Sequence, residues 1–149
     1  MKKKNLQLNY RNMIDNVNDI AGVRAVCNTK DEIYNLVNII EKVPNWNLIK
    51  EKDYIKNPKK SGYSGFHVIV EVPVKIYDDS DLLKNQVFVK VEIQLRTMVM
   101  DFWATHEHKM KYKAGKKISF WDSKRFEIYA KILNVMEERF YRISKKIEN

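Results

Sequence analysis

The sequence contains little cysteine, proline or glycine, and the shortages exclude several classes of site. The 149 residues include one cysteine, Cys27, so no internal disulfide and no cysteine-based zinc site can form. There are three prolines and four glycines. None of the glycines belongs to a Walker-type loop or a G-x-G-x-x-G motif, so side chains must bind any nucleotide phosphates.

Long apolar runs are also missing. None approaches the length of about 18 residues that a membrane span requires, and Met1–Tyr10 lacks the apolar core of a signal peptide. We therefore expect a cytoplasmic protein without a membrane partner.

Basic residues, by contrast, are in excess. The net charge of +9 predicts a polyanionic partner such as nucleotide phosphates, nucleic acid or an acidic surface. The length suits one domain with a hydrophobic core, so we expect residues 1–149 to form a single domain.

The strongest structural pattern is the stretch Val87–Lys113. Aliphatic residues alternate with polar ones from Val87 to Leu95, which predicts a strand with one buried face. Thr97 is a suitable N-cap for a helix over Met98–Lys113, ended by Gly115.

Other patterns predict the remaining helices and strands. A capping box at Thr29–Glu32 begins a helix that Pro44 stops, and Ser123 is a candidate cap for a long C-terminal helix. Such a long apolar stripe either packs across the sheet or pairs with a second subunit. Shorter strands are expected after Asn18–Gly22, at Trp46–Glu51 and at Phe66–Val72. The last either ends at Pro73 or continues past a bulge over Val74–Tyr77, before a turn at Asp78–Asp81.

Two acids, Asp19 and Glu92, lie at the mouths of different predicted strands. Two carboxylates suit one or two Mg²⁺ ions, or one metal and one general base. Glu92 could instead belong to a charge ladder on an exposed sheet face, with Lys90 and Arg96 on either side.

The loop Lys52–Gly65 combines lysines with turn-forming residues and one aromatic side chain. Its lysines can neutralise phosphates, although they could simply solvate a surface loop. Tyr63, on what we expect to be an open loop, suits stacking on a base, or is an ordinary loop tyrosine. His67 could reach a phosphate or sugar, or be a satisfied structural histidine. The residues alone favour Mg²⁺-dependent phosphate chemistry on nucleotides.

Four ordered motifs resemble the synthetase domain of the RelA/SpoT family, specifically the small alarmone synthetases. They are N-D-I-A-G-V-R (Asn18–Arg24), K-D-Y-I-K-N-P-K-K-S-G-Y (Lys52–Tyr63), V-E-I-Q-L-R-T (Val91–Thr97) and M-D-F-W-A-T-H-E-H-K-M-K-Y-K (Met100–Lys113). The resemblance implies an α/β fold like that of nucleotidyltransferases, with a mixed, mostly antiparallel sheet flanked by helices. It also implies transfer of the β,γ-pyrophosphate of ATP to the 3′-OH of GTP or GDP, giving (p)ppGpp and AMP.

The same resemblance assigns roles to particular residues. Asp19 would bind Mg²⁺, and Glu92 would assist deprotonation of the 3′-OH and also contact metal. Arg24 would stack on adenine. The remaining candidates would bind the guanosine nucleotide: Lys52, Lys59 and His67 at its phosphates, Tyr63 and Asp101 at guanine, and Gln94 and Arg96 lining the pocket behind Glu92.

The sequence also departs from the family pattern. Met1 precedes Asp19 by only 18 residues, so the family's upstream basic segment is expected to be absent and ATP affinity to be poor. The usual G-Y-R-S or G-Y-Q-S run reads Gly62–Gly65 here, as G-Y-S-G. Two alternatives stay open: a non-catalytic guanosine-nucleotide-binding module, and RNA binding, including action on RNA 3′ ends. A homo-oligomer formed through helices is a further expectation.

Overall fold

The structure is a computed structural model that describes residues 21–75, 86–113 and 119–147, without the side chains of residues 86 and 111–113. The described helices and strands are β1 (Ala21–Cys27), α1 (Lys30–Ile40), β2 (Asn47–Asp53), β3 (Phe66–Lys75), β4 (Gln86–Thr97), α2 (Met98–Lys113) and α3 (Phe120–Ile147). They confirm the predicted α/β fold with a mixed sheet and a long C-terminal helix.

The strands form one four-stranded sheet in the order β1-β4-β3-β2. β4 is an inner strand because its alternating pattern supplies one well-buried face, with Ile93 8% and Leu95 1% exposed. β3 lies beside it and is buried at Val68, Ile69 and Val70. It runs to Lys75 without ending at Pro73, and the predicted turn at Asp78–Asp81 lies outside the described residues.

Within the described residues the chain divides into two compact units. The first contains residues 21–25, 35–52, 67–75 and 86–94; the second contains residues 26–34, 53–66, 95–113 and 119–147. The first is built on most of the sheet. The core of the second contains Ile33, Leu95, Met100 and Trp103.

The capping signals predicted for α1 and α2 are confirmed by their hydrogen bonds. The Thr29 hydroxyl accepts from the Glu32 amide at 3.2 Å, and the Glu32 carboxylate accepts from the Asn28 amide at 2.8 Å. The Thr97 hydroxyl accepts from the Met100 amide at 3.3 Å, so β4 passes directly into α2. Gly115, the predicted end of α2, lies outside the described residues.

The prediction that Ser123 caps the last helix is wrong. α3 begins at Phe120, and the Ser119 hydroxyl accepts from the Trp121 amide at 3.2 Å. Ser123 lies one turn inside the helix, where its amide donates to the Ser119 carbonyl at 2.9 Å. The signal was present in the sequence, because Ser119 precedes Asp122 by three residues.

α3 also leaves many apolar side chains exposed. Ile128, Ile132, Val135 and Phe140 are each about half exposed or more, while Ala130 is buried. Among the described helices, none has a stretch long and apolar enough to cross a membrane.

Candidate active site

Strands β2, β3 and β4 bring four polar side chains of the first unit together, which we call the carboxylate cluster: Lys52, His67, Glu92 and Gln94. Glu92 and Gln94 occupy alternate positions on the polar face of β4, and His67 is the second residue of β3. His67 Nδ1 lies 2.8 Å from Glu92 Oε1, and Gln94 Nε2 donates to Glu92 Oε2 at 2.9 Å. Both carboxylate oxygens therefore have hydrogen-bond partners.

The surroundings of Glu92 keep its carboxylate ionised. Burial alone would raise the pKa of Glu92, but hydrogen bonds from His67 and Gln94 and the charges of His67 and Lys52 outweigh burial and lower it. The side chains of His67 and Glu92 remain 12% and 19% exposed. The cluster thus presents a stable negative charge that a ligand can still reach.

A second group, which we call the tyrosine cluster, lies in the second unit: Tyr54, Lys59, Tyr63, Arg96 and Asp101. Its centre is Arg96, whose Nη1 donates to Asp101 Oδ1 at 3.0 Å and whose Nη2 donates to the Tyr63 hydroxyl at 3.1 Å. The Arg96 side chain is only 7% exposed. Burial with two partners makes this guanidinium a fixed structural centre.

Tyr63 is not the open-loop aromatic that the sequence suggests. It is 7% exposed, and its ring contacts Tyr54 edge to face at a centroid distance of 5.8 Å. The Lys59 ammonium lies 4.7 Å from the Tyr63 centroid, and Arg96 Cζ lies 5.3 Å from it. The aromatic ring attracts these cations, so it is buried beneath them rather than presented to solvent.

Asp53 is a structural residue of the loop that the sequence reasoning missed. Its Oδ1 accepts from the amides of Ile55 and Lys56, both at 2.9 Å, and its Oδ2 accepts from the Tyr34 hydroxyl at 3.1 Å. An Asp that begins a turn-rich segment is the available sequence signal for such an Asx-type turn. Burial, with the charge and hydrogen bond of Asp53, raises the pKa of Tyr34 to about 12.

The sequence also predicts roles for Arg24, Asp19 and a metal ion. Arg24 lies on β1 with an exposed side chain, and Asp19 lies outside the described residues. In the described part of the chain, no group of three His, Cys, Asp or Glu side chains could hold a metal ion. Glu92 nevertheless fits a Mg²⁺ ligand, because it is ionised and each of its oxygens has a lone pair beyond the observed hydrogen bond.

Sequence comparisons identify the family. Residues 1–117 match the model described as "Region found in RelA / SpoT proteins". The chain is 36% identical to GTP pyrophosphokinase YwaC of Bacillus subtilis over 149 residues, covering 99% of this chain and 68% of that protein. The chain therefore belongs to the RelA/SpoT family.

Shorter and structural matches agree with this assignment. GTP pyrophosphokinase YjbM of Bacillus subtilis is 34% identical over 105 residues, covering 70% of this chain and 47% of that protein. The crystal structure of small alarmone synthetase 2 from Bacillus subtilis matches with a TM-score of 0.79 and 37% identity, over 88% of this chain and 68% of that one. Small alarmone synthetase 1 of that organism, bound to its product pppGpp, matches with a TM-score of 0.85 and 27% identity, over 99% and 72% of the two chains.

Proposed function

We propose that this protein is a GTP pyrophosphokinase that transfers the β,γ-pyrophosphate of ATP to the 3′-OH of GTP or GDP, making (p)ppGpp and AMP. The relatives named GTP pyrophosphokinase and the similar synthetase bound to pppGpp support this activity. The observation that carries the proposal is the ionised Glu92 held between His67 and Gln94. Phosphoryl-type transfer requires a fixed group that receives the proton of the attacking hydroxyl.

In the proposed reaction, the 3′-oxygen bonds to the β-phosphorus as the bond from that phosphorus to the α,β-bridging oxygen breaks. AMP leaves with the bridging oxygen, and the hydroxyl proton passes to Glu92. A carboxylate with a lowered pKa is a weak base, so Glu92 orients the hydroxyl first and takes its proton as the new bond forms. This sequence suits the loose transition state of phosphoryl transfer, which needs little early deprotonation.

Charge on the phosphates must be offset by cations. Glu92, with Asp19 as the second carboxylate, would hold Mg²⁺, whose charge would offset that of the phosphates. Lys52 and Lys59 are the proposed phosphate contacts of the guanosine nucleotide, together with His67. Lys59 is an exposed residue, so its side chain can leave the Tyr63 ring to reach a phosphate.

The tyrosine cluster is proposed to recognise guanine. Tyr63 would stack on the base once Lys59 has moved, and Asp101 would accept from its N–H groups while retaining Arg96. In this proposal Gln94 holds Glu92 and Arg96 holds Tyr63, and the hydrogen bond within each pair supports that role. Arg24, on exposed strand β1, is the proposed adenine contact.

The decisive experiment incubates the chain with labelled ATP, Mg²⁺ and either GTP or GDP, and resolves the products. We expect AMP and (p)ppGpp in equal amounts, and loss of both in Glu92→Gln but not in the matched variant Glu71→Gln. Guanosine-nucleotide binding without AMP release would indicate a non-catalytic module. Binding to RNA that weakens steeply with salt would favour the RNA alternative instead.

The chain's assembly and location are also proposals. The half-exposed apolar side chains on α3 support a homo-oligomer, which light scattering of the parent and of Ile132→Glu would test. A single cooperative unfolding transition would support one domain over residues 1–149. A cytoplasmic location is proposed from the nucleotide substrates and would be tested by fractionating cells.

A further inference from the structure

Gly62 lies directly against the two helices of the second unit. Its φ of 86° is in the left-handed region, which disfavours residues with a Cβ. A Cβ at this position would overlap the Cβ of Ala130 on α3, and would lie 3.7 Å from Cζ2 and Nε1 of Trp103 on α2. The turn therefore depends both on the absence of a side chain at position 62 and on a small side chain at position 130.

The surface beneath Gly62 is tightly packed. Ala130 is 3% exposed and Trp103 is 5% exposed. The Trp103 ring packs on Phe126 of α3 at a centroid distance of 5.0 Å. Its indole N–H is buried without a hydrogen-bond partner in the described part of the chain, so packing alone places the ring. Such a surface cannot absorb an added methyl group cheaply.

Main-chain hydrogen bonds connect Gly62 to the residues proposed to bind nucleotide. The Gly62 amide donates to the Lys59 carbonyl at 2.8 Å, and the Lys59 amide donates to the Tyr63 carbonyl at 3.0 Å. The Tyr54 amide donates to the Gly65 carbonyl at 2.9 Å. Any displacement of Gly62 from α3 therefore moves the main chain of both Lys59 and Tyr63.

We propose that Ala130 is a positioning residue for the guanosine nucleotide. Its small side chain determines where the Gly62 turn lies, and through that turn it sets the positions of Tyr63 and Lys59. The identity of the nucleotide rests on the proposed function, whereas the contact itself does not. The long C-terminal helix thus contributes to acceptor affinity without touching the nucleotide.

The contact between Gly62 and Ala130 is tested by enlarging the side chain at position 62 and removing the one at position 130, alone and together, which we call the size swap. Gly62→Ala should raise KM for GTP about tenfold or more, with KM for ATP unchanged. Ala130→Gly alone should lower thermal stability, because glycine is unfavourable inside a helix. In the double variant it should recover part of the loss in KM for GTP, because space is restored while the positive φ stays unfavourable. Ala130→Val should also raise KM for GTP severalfold, whereas the matched enlargement Val135→Ile, at an exposed position of the same helix, should not.

Thermal unfolding and calorimetric GTP binding separate the outcomes. The proposal would be overturned if Gly62→Ala raised KM for GTP by the same factor in the parent and in the Ala130→Gly variant. So would an Ala130→Val variant that is less stable but keeps the parent KM and Kd for GTP. If the parent binds GTP but makes no AMP, the proposed function is wrong. The Kd values of the variants for GTP then test the positioning role of Ala130. Failure of the parent to bind guanosine nucleotides would overturn both.

Discussion

The carboxylate cluster and the tyrosine cluster stabilise their charges in different ways. Glu92 has a hydrogen-bond partner on each carboxylate oxygen but keeps 19% of its side chain exposed. Arg96 is 7% exposed and directs its guanidinium at Asp101 and Tyr63. A charge left accessible can act on a ligand, whereas a buried and paired charge mainly maintains geometry. We therefore expect changes in the first cluster to alter turnover, and changes in the second to alter affinity and stability.

The largest expected effect is that of Glu92→Gln on turnover. Glutamine keeps the size of the side chain but removes its charge and its ability to accept a proton. We expect kcat to fall about 10²-fold or more, the scale of a positioned acid–base group, with little change in Kd for GTP. Steady-state kinetics with Glu71→Gln as control measure this. If kcat stayed within about threefold of the parent value, the change would be far smaller than that scale, and Glu92 would have no role in the chemistry.

Substitutions of Tyr63 should separate stacking from structural support. Tyr63→Ala should weaken GTP binding by roughly 1–3 kcal/mol, the usual contribution of an aromatic–base stack. Tyr63→Phe keeps the ring but removes the hydroxyl that accepts from Arg96. It should therefore lower the free energy of unfolding by about 1.5–3 kcal/mol while leaving affinity nearly intact.

Calorimetry measures the effect of each Tyr63 substitution on GTP affinity, and urea unfolding measures its effect on the free energy of unfolding. Tyr129→Phe, at a position 53% exposed on α3, is the matched control. If Tyr63→Phe weakened GTP binding as much as Tyr63→Ala does, the proposed stacking role of Tyr63 would be wrong.

A smaller effect is expected at Tyr34, which supports the loop through Asp53. Tyr34→Phe removes the hydrogen bond from its hydroxyl to the partly buried Asp53 Oδ2. The free energy of unfolding should therefore fall by about 1.5 kcal/mol, the lower end of the range for a hydrogen bond to a charged group. Turnover should change little, because Tyr34 contacts neither Glu92 nor a proposed ligand. A loss of kcat comparable to that of Glu92→Gln would contradict the purely structural role of Tyr34.

The smallest effect is a change in acid stability at Glu92. Its pKa is lower in the folded protein than the ordinary value of 4.5, so the ionised carboxylate stabilises the fold above that pH. This contribution is lost as pH falls through the folded pKa. The difference in unfolding free energy between parent and Glu92→Gln should therefore shrink below about pH 4.5 in urea titrations. A difference that stayed constant with pH would show that Glu92 has no lowered pKa.

The sequence by itself determined the local elements, because local signals carry them. Alternation from Val87 to Leu95 predicted β4, and a hydroxyl at Thr97 predicted the start of α2 at Met98. Side-chain period and capping bonds depend on residues a few positions apart, so a single sequence contains them. The same holds for the motifs, which located the residues of both clusters without showing how those residues pair.

Only the tertiary structure decided the environment of each site residue. Glu92 and His67 are 25 residues apart, and Arg96 and Tyr63 are 33 apart, yet each pair shares a hydrogen bond. The burial of Tyr63 likewise depends on Arg96, and the Gly62 turn depends on Ala130 from a distant helix. Burial and pKa follow from the surrounding atoms in space, and no local pattern in the chain specifies which distant residues supply them.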